Sequence, residues 1–276
     1  MYIAFHPNEE ASALQKLEHC INDLRKWMNK NRLKLNDNKT EFIIFGSKSK
    51  LGKINTRSIN VGKEKIIAVK EVRNIGAYFD SELKMQTQIQ NMCKSAWLNL
   101  FNISKIRKFL IEDQTKIIVQ AYVTSKLDAN NSLLSGIHTD FRAQLQRVQN
   151  AAAKLIKQKK KYDHVTPLLH QLHWLPIEDR INFKILLLVF KSLNEAGPVY
   201  LRDLLEYYRP PARLRSADDP LILDIPHTKL RTYGDRAFSV IAAILWNKLP
   251  LDIRGAKTMT IFKSKLKTKL FKDRYN

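Results

Sequence analysis

The residues with the greatest potential for chemistry are the paired aspartates Asp218-Asp219. Paired carboxylates of this kind can hold two metal ions for phosphoryl transfer. Here they are followed by Pro220 inside a polar connector, where no rigid strand would hold both side chains at one position. We therefore expect this doublet to lie in a solvated loop and not in a metal site.

The next candidates are histidines that lie close together in the sequence, His164, His170 and His173. A zinc ion would need further ligands, and neither Cys20 nor Cys93 is near in sequence. We expect these histidines to pack beside Trp174 as partly buried aromatic rings.

The motifs of the common catalytic sites are missing. The eight glycines are scattered, and there is no GxGxxG or Walker loop, no Gly-x-Ser-x-Gly turn and no His-Glu-x-x-His pair. The two cysteines are too few for a disulfide scaffold or an all-cysteine zinc site and suit a reducing compartment. The sequence predicts no catalytic residue, no metal ligand and no cofactor, and a cytoplasmic or nuclear location.

Positive charge dominates the composition of the 276 residues, with 48 Lys and Arg against 26 Asp and Glu and a net charge of +22. Such a field attracts polyanions, so nucleic acid is the leading partner and an anionic membrane surface the second. No apolar run reaches the roughly 18 residues that a membrane span requires. The start of the chain also lacks the basic and apolar regions of a signal peptide.

The lysines concentrate in two places of the C-terminal half. The first group directly follows an apolar helical stripe and comprises Lys154, Lys157, Lys159, Lys160 and Lys161. The second surrounds the last helix and includes Lys265, Lys269 and Lys272. That helix could grip phosphates, lie on a membrane surface or be a solvated helix with an ordinary core stripe. The charge elsewhere favours nucleic acid.

The hydrophobic period divides the chain into two halves. In the first, an apolar stripe predicts a helix that ends near Asn31, and short β-prone runs predict strands at residues 42–45, 59–61, 66–69 and 74–79. A turn is predicted at Gly62-Lys63, and a polar loop at residues 48–57.

In the second half, helical stripes dominate. Four of them are Ile89, Cys93, Ala96, Leu100 and Ile103; Ile117, Ile118, Ala121 and Tyr122; Phe141, Leu145, Val148, Ala152 and Leu155; and Ile177, Ile181, Ile185 and Leu188. A polar connector at residues 209–233 precedes two more predicted helices, at residues 235–248 and 258–272. The predicted fold class is α+β, with a small mixed first part and a mostly helical remainder.

Several phrases resemble reverse transcriptases of non-LTR (LINE-type) retrotransposons. WMNKNRLKLN at residues 27–36 and NKTEF at 38–42 resemble the palm segment after the catalytic strand, and VRNIGAYFD at 72–80 resembles the primer grip. Later phrases resemble the region beyond the polymerase core: LQRVQNAAA at 145–153, HWLP at 173–176, YGDRAF at 233–238 and LWNKLP at 245–250. These phrases occur in order over nearly the whole chain.

The resemblance implies three segments: a truncated palm and primer-grip region at residues 1–85, thumb-like helices at 86–135, and a basic helical C-terminal region at 136–276. Residues 2–5 resemble the strand that leaves the family's Asp-Asp turn, and the doublet itself would precede Met1. No catalytic residue is therefore carried over, and the chain is expected to be an inactive pseudoenzyme by itself. Mg²⁺ is implied only for a full-length RNA-directed DNA polymerase.

The resemblance and the charge together predict RNA or DNA binding. The family pattern places Lys39 near an incoming nucleotide, and Arg73 and Gly76 near the primer backbone. The remaining predicted contacts lie on the helices of the second half: Lys94, Lys105, Arg107, Lys108, Arg147, Lys154, Lys157, Lys159, Lys160, Lys161, Lys265, Lys269 and Lys272.

Three functions stay open at this point. The chain could be a transposable-element remnant that retains nucleic-acid binding, the tail of an active reverse transcriptase, or a relic or co-opted helical module that binds protein. We also expect an unpaired strand edge in the first 80 residues, with loose order or self-association there.

Overall fold

The computed structural model describes residues 1–62, 64–209, 221–228 and 233–275. It divides into two compact units, Met1–Gln88 and Ile89–Asn276. Both helices and small sheets are present, so the predicted α+β class is confirmed. A reverse-transcriptase palm and the division of the second half at residue 135 stay predictions, and Asp218-Asp219 lies outside the described residues.

The first unit begins with helix α1, Glu10–Lys30, after a 3₁₀ turn at Pro7–Glu9. The helix ends where predicted, and the Asn31 N–H donates to the Trp27 and Met28 carbonyls. The expected strand at residues 2–5 is not formed, because no neighbouring strand pairs with this segment.

Two small sheets follow in the same unit. Strands β1 (Phe42–Ile43), β2 (Ser58–Val61) and β3 (Glu64–Val69) form a sheet in the order β1-β3-β2, with β1 parallel and β2 antiparallel to β3. Strands β4 (Glu71–Asn74) and β5 (Ala77–Asp80) form a separate antiparallel hairpin. Within the described residues β1 pairs only with β3, so it is an edge strand.

Two predictions for this unit were wrong. The single strand expected at residues 74–79 is split by the turn at Ile75 and Gly76, which both have positive φ angles, of 46° and 81°. Two such residues give the turn type whose twist suits a two-residue hairpin. The loop expected at residues 48–57 contains a short helix α2, Lys48–Leu51, whose N-terminus is capped by the Ser47 hydroxyl.

An apolar hollow of about 360 Å³ lies between helix α1, strand β1 and residues 1–5. Its lining includes Leu14, Leu17, Ile21, Phe42 and Ile43. None of these five side chains is fully buried, so the apolar face of α1 meets space as well as neighbours.

The second unit is helical. Its helices are α3 (Gln86–Ile106, which begins in the first unit), α4 (Glu112–Val119), α5 (Ser125–Asp128), α6 (Thr139–Ile156), α7 (Thr166–Gln171), α8 (Ile177–Leu193), α9 (Val199–Arg202), α10 (Phe238–Asn247), α11 (Leu251–Arg254) and α12 (Met259–Tyr275). An isolated antiparallel bridge joins Tyr207 to Leu223.

Helix α8 is central to the core of this unit, because α6, α10 and α12 all pack on it. Phe190 of α8 stacks on Phe262 of α12 with ring centroids 4.3 Å apart, and Trp246 of α10 lies 5.9 Å from Phe262. The Trp246 indole N–H donates to the Leu221 carbonyl at 2.8 Å. The predicted stripes of α3, α6 and α8 lie on the buried faces of these helices, as do Phe262 and Leu266 of α12.

The predicted face of α4 was wrong. Ile117 and Tyr122 are exposed, whereas Thr115, Val119 and Val123 are buried. A π-helical turn at Gln120–Thr124 follows α4 and leads directly into α5. The buried residues Thr115, Val119 and Val123 repeat every four positions, but the polar Thr115 gave no apolar signal, so the stripe was assigned to the neighbouring isoleucines.

The histidine prediction was also wrong about burial, since His164, His170 and His173 are all exposed. His170 and His173 contact Phe271 of α12, with ring centroids 5.2 and 5.5 Å apart. No set of three metal-ligating side chains occurs among the described residues, and no described helix is long and apolar enough to cross a membrane.

Candidate nucleic-acid interface

Helix α3 has two apolar faces on opposite sides. One face is buried in the second unit and carries Ile89, Met92, Ala96, Leu100 and Ile103. The opposite face repeats at steps of three and four residues and is exposed, with Lys94, Trp97, Leu98, Phe101 and Lys105. Trp97 is 46% and Phe101 58% exposed. Clustered exposed rings of this kind usually mark a binding surface.

The charge of this face has one sign. Between Glu82 and Glu112 the chain contains no acidic residue. The side chains of Lys94, Lys105 and Lys108 are exposed along this stretch. An anionic ligand therefore meets cations there, with no carboxylate of the same helix to repel it.

Arg107 connects the end of α3 to the end of α6. Its guanidinium donates to the carbonyls of Leu155 at 3.0 Å, Ile156 at 2.8 Å and Leu110 at 2.6 Å. The last carbonyls of a helix lack partners within the helix and lie at the negative end of its dipole. A buried guanidinium supplies hydrogen-bond donors to these carbonyls and a positive charge that the dipole favours. Arg107 was predicted to contact nucleic acid, and the structure places it inside the unit as a cap for α6.

The loop after α6 brings a second group of lysines to the same place. The Lys159 N–H donates to the Lys154 carbonyl at 2.9 Å, and the Lys154 ammonium donates to the Lys161 carbonyl. The loop thus folds back on the last turn of α6, and the side chains of Lys159, Lys160 and Lys161 are exposed. Lys157 differs, because its ammonium pairs with the Glu112 carboxylate at 2.6 Å.

Three exposed aromatic rings in this region each have a lysine beside them. The Lys105 ammonium lies 4.3 Å from the Phe101 ring centroid, that of Lys108 lies 4.8 Å from Phe109, and that of Lys161 lies 5.7 Å from Tyr162. Phe109 is 75% and Tyr162 88% exposed. Each pair thus offers a cation and a ring face to solvent.

Arg147 lies on α6, two turns before Lys154 and on the same side of that helix. It is close enough to α3 for its charge to act on the Cys93 thiol. Burial raises the pKa of Cys93, and the positive charge of Arg147 partly opposes this rise. The thiol is therefore protonated at neutral pH, and Arg147 extends the positive surface from α3 to α6.

We call this region the α3–α6 surface. It consists of exposed or half-buried cations on α3, on α6 and in the segments that follow these two helices: Lys94, Lys105, Lys108, Arg147, Lys154, Lys159, Lys160 and Lys161.

The predicted lysines of α12 are placed differently. Lys265 donates to the Asp252 carboxylate at 3.0 Å, and Lys269 pairs with Asp273 at 2.6 Å. Lys272 is exposed. Phe262 and Leu266 lie in the core, so α12 combines an ordinary core stripe with a partly neutralised basic face.

Three residues that were predicted to contact nucleic acid belong to the first unit. Lys39 is exposed in a 3₁₀ turn, Asp37–Lys39. Arg73 lies on the β4–β5 hairpin, 5.5 Å over the Tyr78 ring, and Gly76 forms the hairpin turn.

A polar cleft of about 460 Å³ lies elsewhere in the second unit, between α6, α7 and α12. Its charged side chains are already paired, Arg142 with Glu178 at 2.7 Å and Arg274 with Asp179 at 2.8 Å. The Asp179 hydrogen bond raises the pKa of Arg274 above its usual value. We assign the cleft to the packing of α12, because none of these charges is left for a ligand.

Sequence reasoning missed the exposed rings of Trp97, Phe101 and Phe109 and the capping role of Arg107. The rings could have been found, since residues 97–101 hold more apolar side chains than one stripe can bury. The cap could not, because its partners lie 48 and 49 residues away in sequence.

Comparison of the chain with protein families, characterised proteins and solved structures finds no match.

Proposed function

We propose that this protein binds nucleic acid along the phosphate backbone through the α3–α6 surface. The observation that carries the proposal is the Arg107 cap, which joins the end of α3 to the end of α6. The cap brings the lysines of α3, which has no acidic residue, and the lysines of the loop after α6 to one end of the second unit. Lysines on a shared surface neutralise successive phosphates and release their counterions. Such contacts give affinity and position without sequence specificity.

The resemblance in sequence phrases supports a more specific form of the proposal. We propose that the chain is a fragment of a non-LTR retrotransposon reverse transcriptase that retains the binding of RNA or DNA, in the cytoplasm or the nucleus. Sequencing of the transcript upstream of Met1 tests this form. An open reading frame that encodes an Asp-Asp strand supports it, and an upstream frame that encodes an unrelated domain contradicts it.

Salt dependence tests the binding proposal directly. We expect fluorescence anisotropy with a labelled 20-nucleotide RNA or DNA to show affinity that falls as salt rises. The logarithmic slope should be about 0.7 per phosphate contact for a single strand and about 0.9 for a duplex. A flat salt profile, or no binding at low salt, would overturn the proposal.

A triple variant locates the binding surface. K159Q/K160Q/K161Q removes three exposed charges from the loop. The slope of affinity against salt should fall by the amount expected for about two to three phosphate contacts. K48Q/K50Q/K53Q removes three exposed charges from the first unit and is the matched control. Equal loss of affinity in both variants would point to net charge alone and not to the α3–α6 surface.

A further inference from the structure

We propose that the α3–α6 surface is built for single-stranded nucleic acid, whose bases stack on the exposed rings while its phosphates pair with the lysines beside them. This inference rests on the proposed function and adds the class of ligand. Stacking is open only to unpaired bases, because a duplex keeps its base faces inside the helix.

The first observation is the pairing of rings with cations. Phe101 with Lys105, Phe109 with Lys108, and Tyr162 with Lys161 are three exposed ring–lysine pairs in one region. A single strand alternates a flat base with a charged phosphate along its length. Each ring–lysine pair offers a ring for the base and an ammonium for the phosphate. Aromatic platforms interleaved with cations are the general solution for such strands.

The second observation decides between nucleic acid and protein as the occupant. Exposed apolar side chains alone would also suit a protein partner, and Leu98 and Phe101 are both exposed. The face of α3, however, lies in a stretch without a single acidic residue, and its rings are flanked by Lys94 and Lys105. A continuous anion matches this charge pattern along its whole length.

The lysines also bear on how a base would reach the rings. The Lys105 ammonium lies over the Phe101 ring at 4.3 Å, where a base would stack. An exposed cation–π contact is weaker than base stacking, so a strand can replace it. The displaced ammonium then meets the phosphate next to the stacked base.

A double variant tests the stacking. W97L/F101L keeps the apolar character and removes both π faces at exposed positions. Affinity for a 12-nucleotide single strand should fall by roughly 10- to 100-fold. Affinity for a duplex of the same sequence and the slope of affinity against salt should both stay unchanged, because no charge is removed. W27L/Y200L, at two exposed aromatic positions elsewhere, is the matched control.

A second measurement reports on Trp97 itself. In a W27F background Trp97 is the exposed tryptophan, since Trp174 and Trp246 are buried. Stacking should quench its fluorescence on addition of single strand and not of duplex. A third variant, F109L/Y162L, should weaken single-strand binding in the same direction.

The outcomes separate the two proposals. Binding of neither strand type would overturn both. Equal binding of single strand and duplex, with no effect of W97L/F101L, would leave phosphate binding intact and overturn the stacking. Self-association without nucleic acid that W97L/F101L abolishes would make this face a protein interface and also overturn it.

Discussion

The two units use similar residue types and reach different densities of packing. In the first unit the buried apolar side chains are few and none is aromatic: Ala13, Ile54, Ile59, Val61, Ala77 and Met85. The second buries two tryptophans and two phenylalanines among its helices. Helix α1 and helix α8 are both apolar on one side, but only α8 has other helices packed on it. An amphipathic stripe stabilises a fold only when a neighbouring element covers it.

The largest expected contrast comes from core truncation. Phe262→Ala removes a ring that stacks on Phe190 and should lower the unfolding free energy of the second unit by about 3–5 kcal/mol. Leu17→Ala in the first unit should cost about 1 kcal/mol, since the side chain is half-buried beside the hollow. Hydrogen exchange read by mass spectrometry measures each unit separately.

The neighbouring exposed residue Ile261 supplies the control, and Ile261→Ala should change stability by less than about 0.5 kcal/mol. A loss from Leu17→Ala as large as that from Phe262→Ala would show that the first unit has a packed core. Strong amide protection across residues 42–45 would likewise contradict the loose order and self-association predicted for the β1 edge.

The next contrast separates structural from binding cations. Arg107→Met removes the guanidinium donors to the Leu155 and Ile156 carbonyls and should destabilise the second unit by about 2 kcal/mol. Lys108→Met should leave stability within about 0.5 kcal/mol and lower the salt slope of binding by about one contact. Urea denaturation and anisotropy titrations measure the two effects. Unchanged stability in Arg107→Met would contradict the role of Arg107 as a stabilising cap between α3 and α6.

A smaller effect concerns the first unit and pH. A hydrogen bond with the Thr56 side chain holds the pKa of Glu10 below its usual value, and the Thr56 and Asn55 N–H groups assist. A carboxylate with a lowered pKa stabilises the fold above its unfolded pKa, and this contribution is lost as pH falls. The contact between α1 and residues 55–56 should weaken between about pH 5 and 3.

NMR shifts of the Asn55 and Thr56 amides would follow this titration. Glu10→Gln should abolish the pH dependence, whereas Glu41→Gln, at an exposed site, should leave it in place. Persistence of the titration at Asn55 and Thr56 in Glu10→Gln would assign it to another group.

The smallest effect concerns Cys93. Because burial raises its pKa, this thiol should react with iodoacetamide more slowly at pH 8 than the exposed Cys20. Arg147→Gln removes the charge that opposes the rise and should slow the reaction further. Mass spectrometry of the two cysteine peptides measures both rates. A faster reaction in Arg147→Gln than in Lys154→Gln would contradict the placement of Arg147 beside α3.

The helices of the second unit could be predicted because their apolar residues repeat every three to four positions, as in Ile177, Ile181 and Ile185. The β4–β5 hairpin could not, since the positive φ angle of Ile75 is rare for a β-branched residue and no Asn-Gly signal marks the turn. The face of α4 was missed because Ile117, Ile118 and Val119 are consecutive apolar residues, and the buried Thr115 that selects among them is polar.

The candidate site was predicted in part. Charge alone indicated the lysines of residues 154–161, but it could not distinguish Lys159, which is exposed, from Lys157, which pairs with Glu112. That distinction depends on contacts between residues 45 positions apart in sequence. The resemblance to reverse transcriptases stays a proposal.

The hollow of about 360 Å³ beside helix α1 has a consequence for volume. Hydrostatic pressure favours the state of smaller volume, and unfolding removes empty space in proportion to the internal void. The side chains of Leu14, Leu17 and Phe42 that line the hollow offer water no hydrogen-bond partner, whereas Gln146 and Asn150 line the cleft of the second unit. The first unit should therefore unfold at a pressure that leaves the second unit folded.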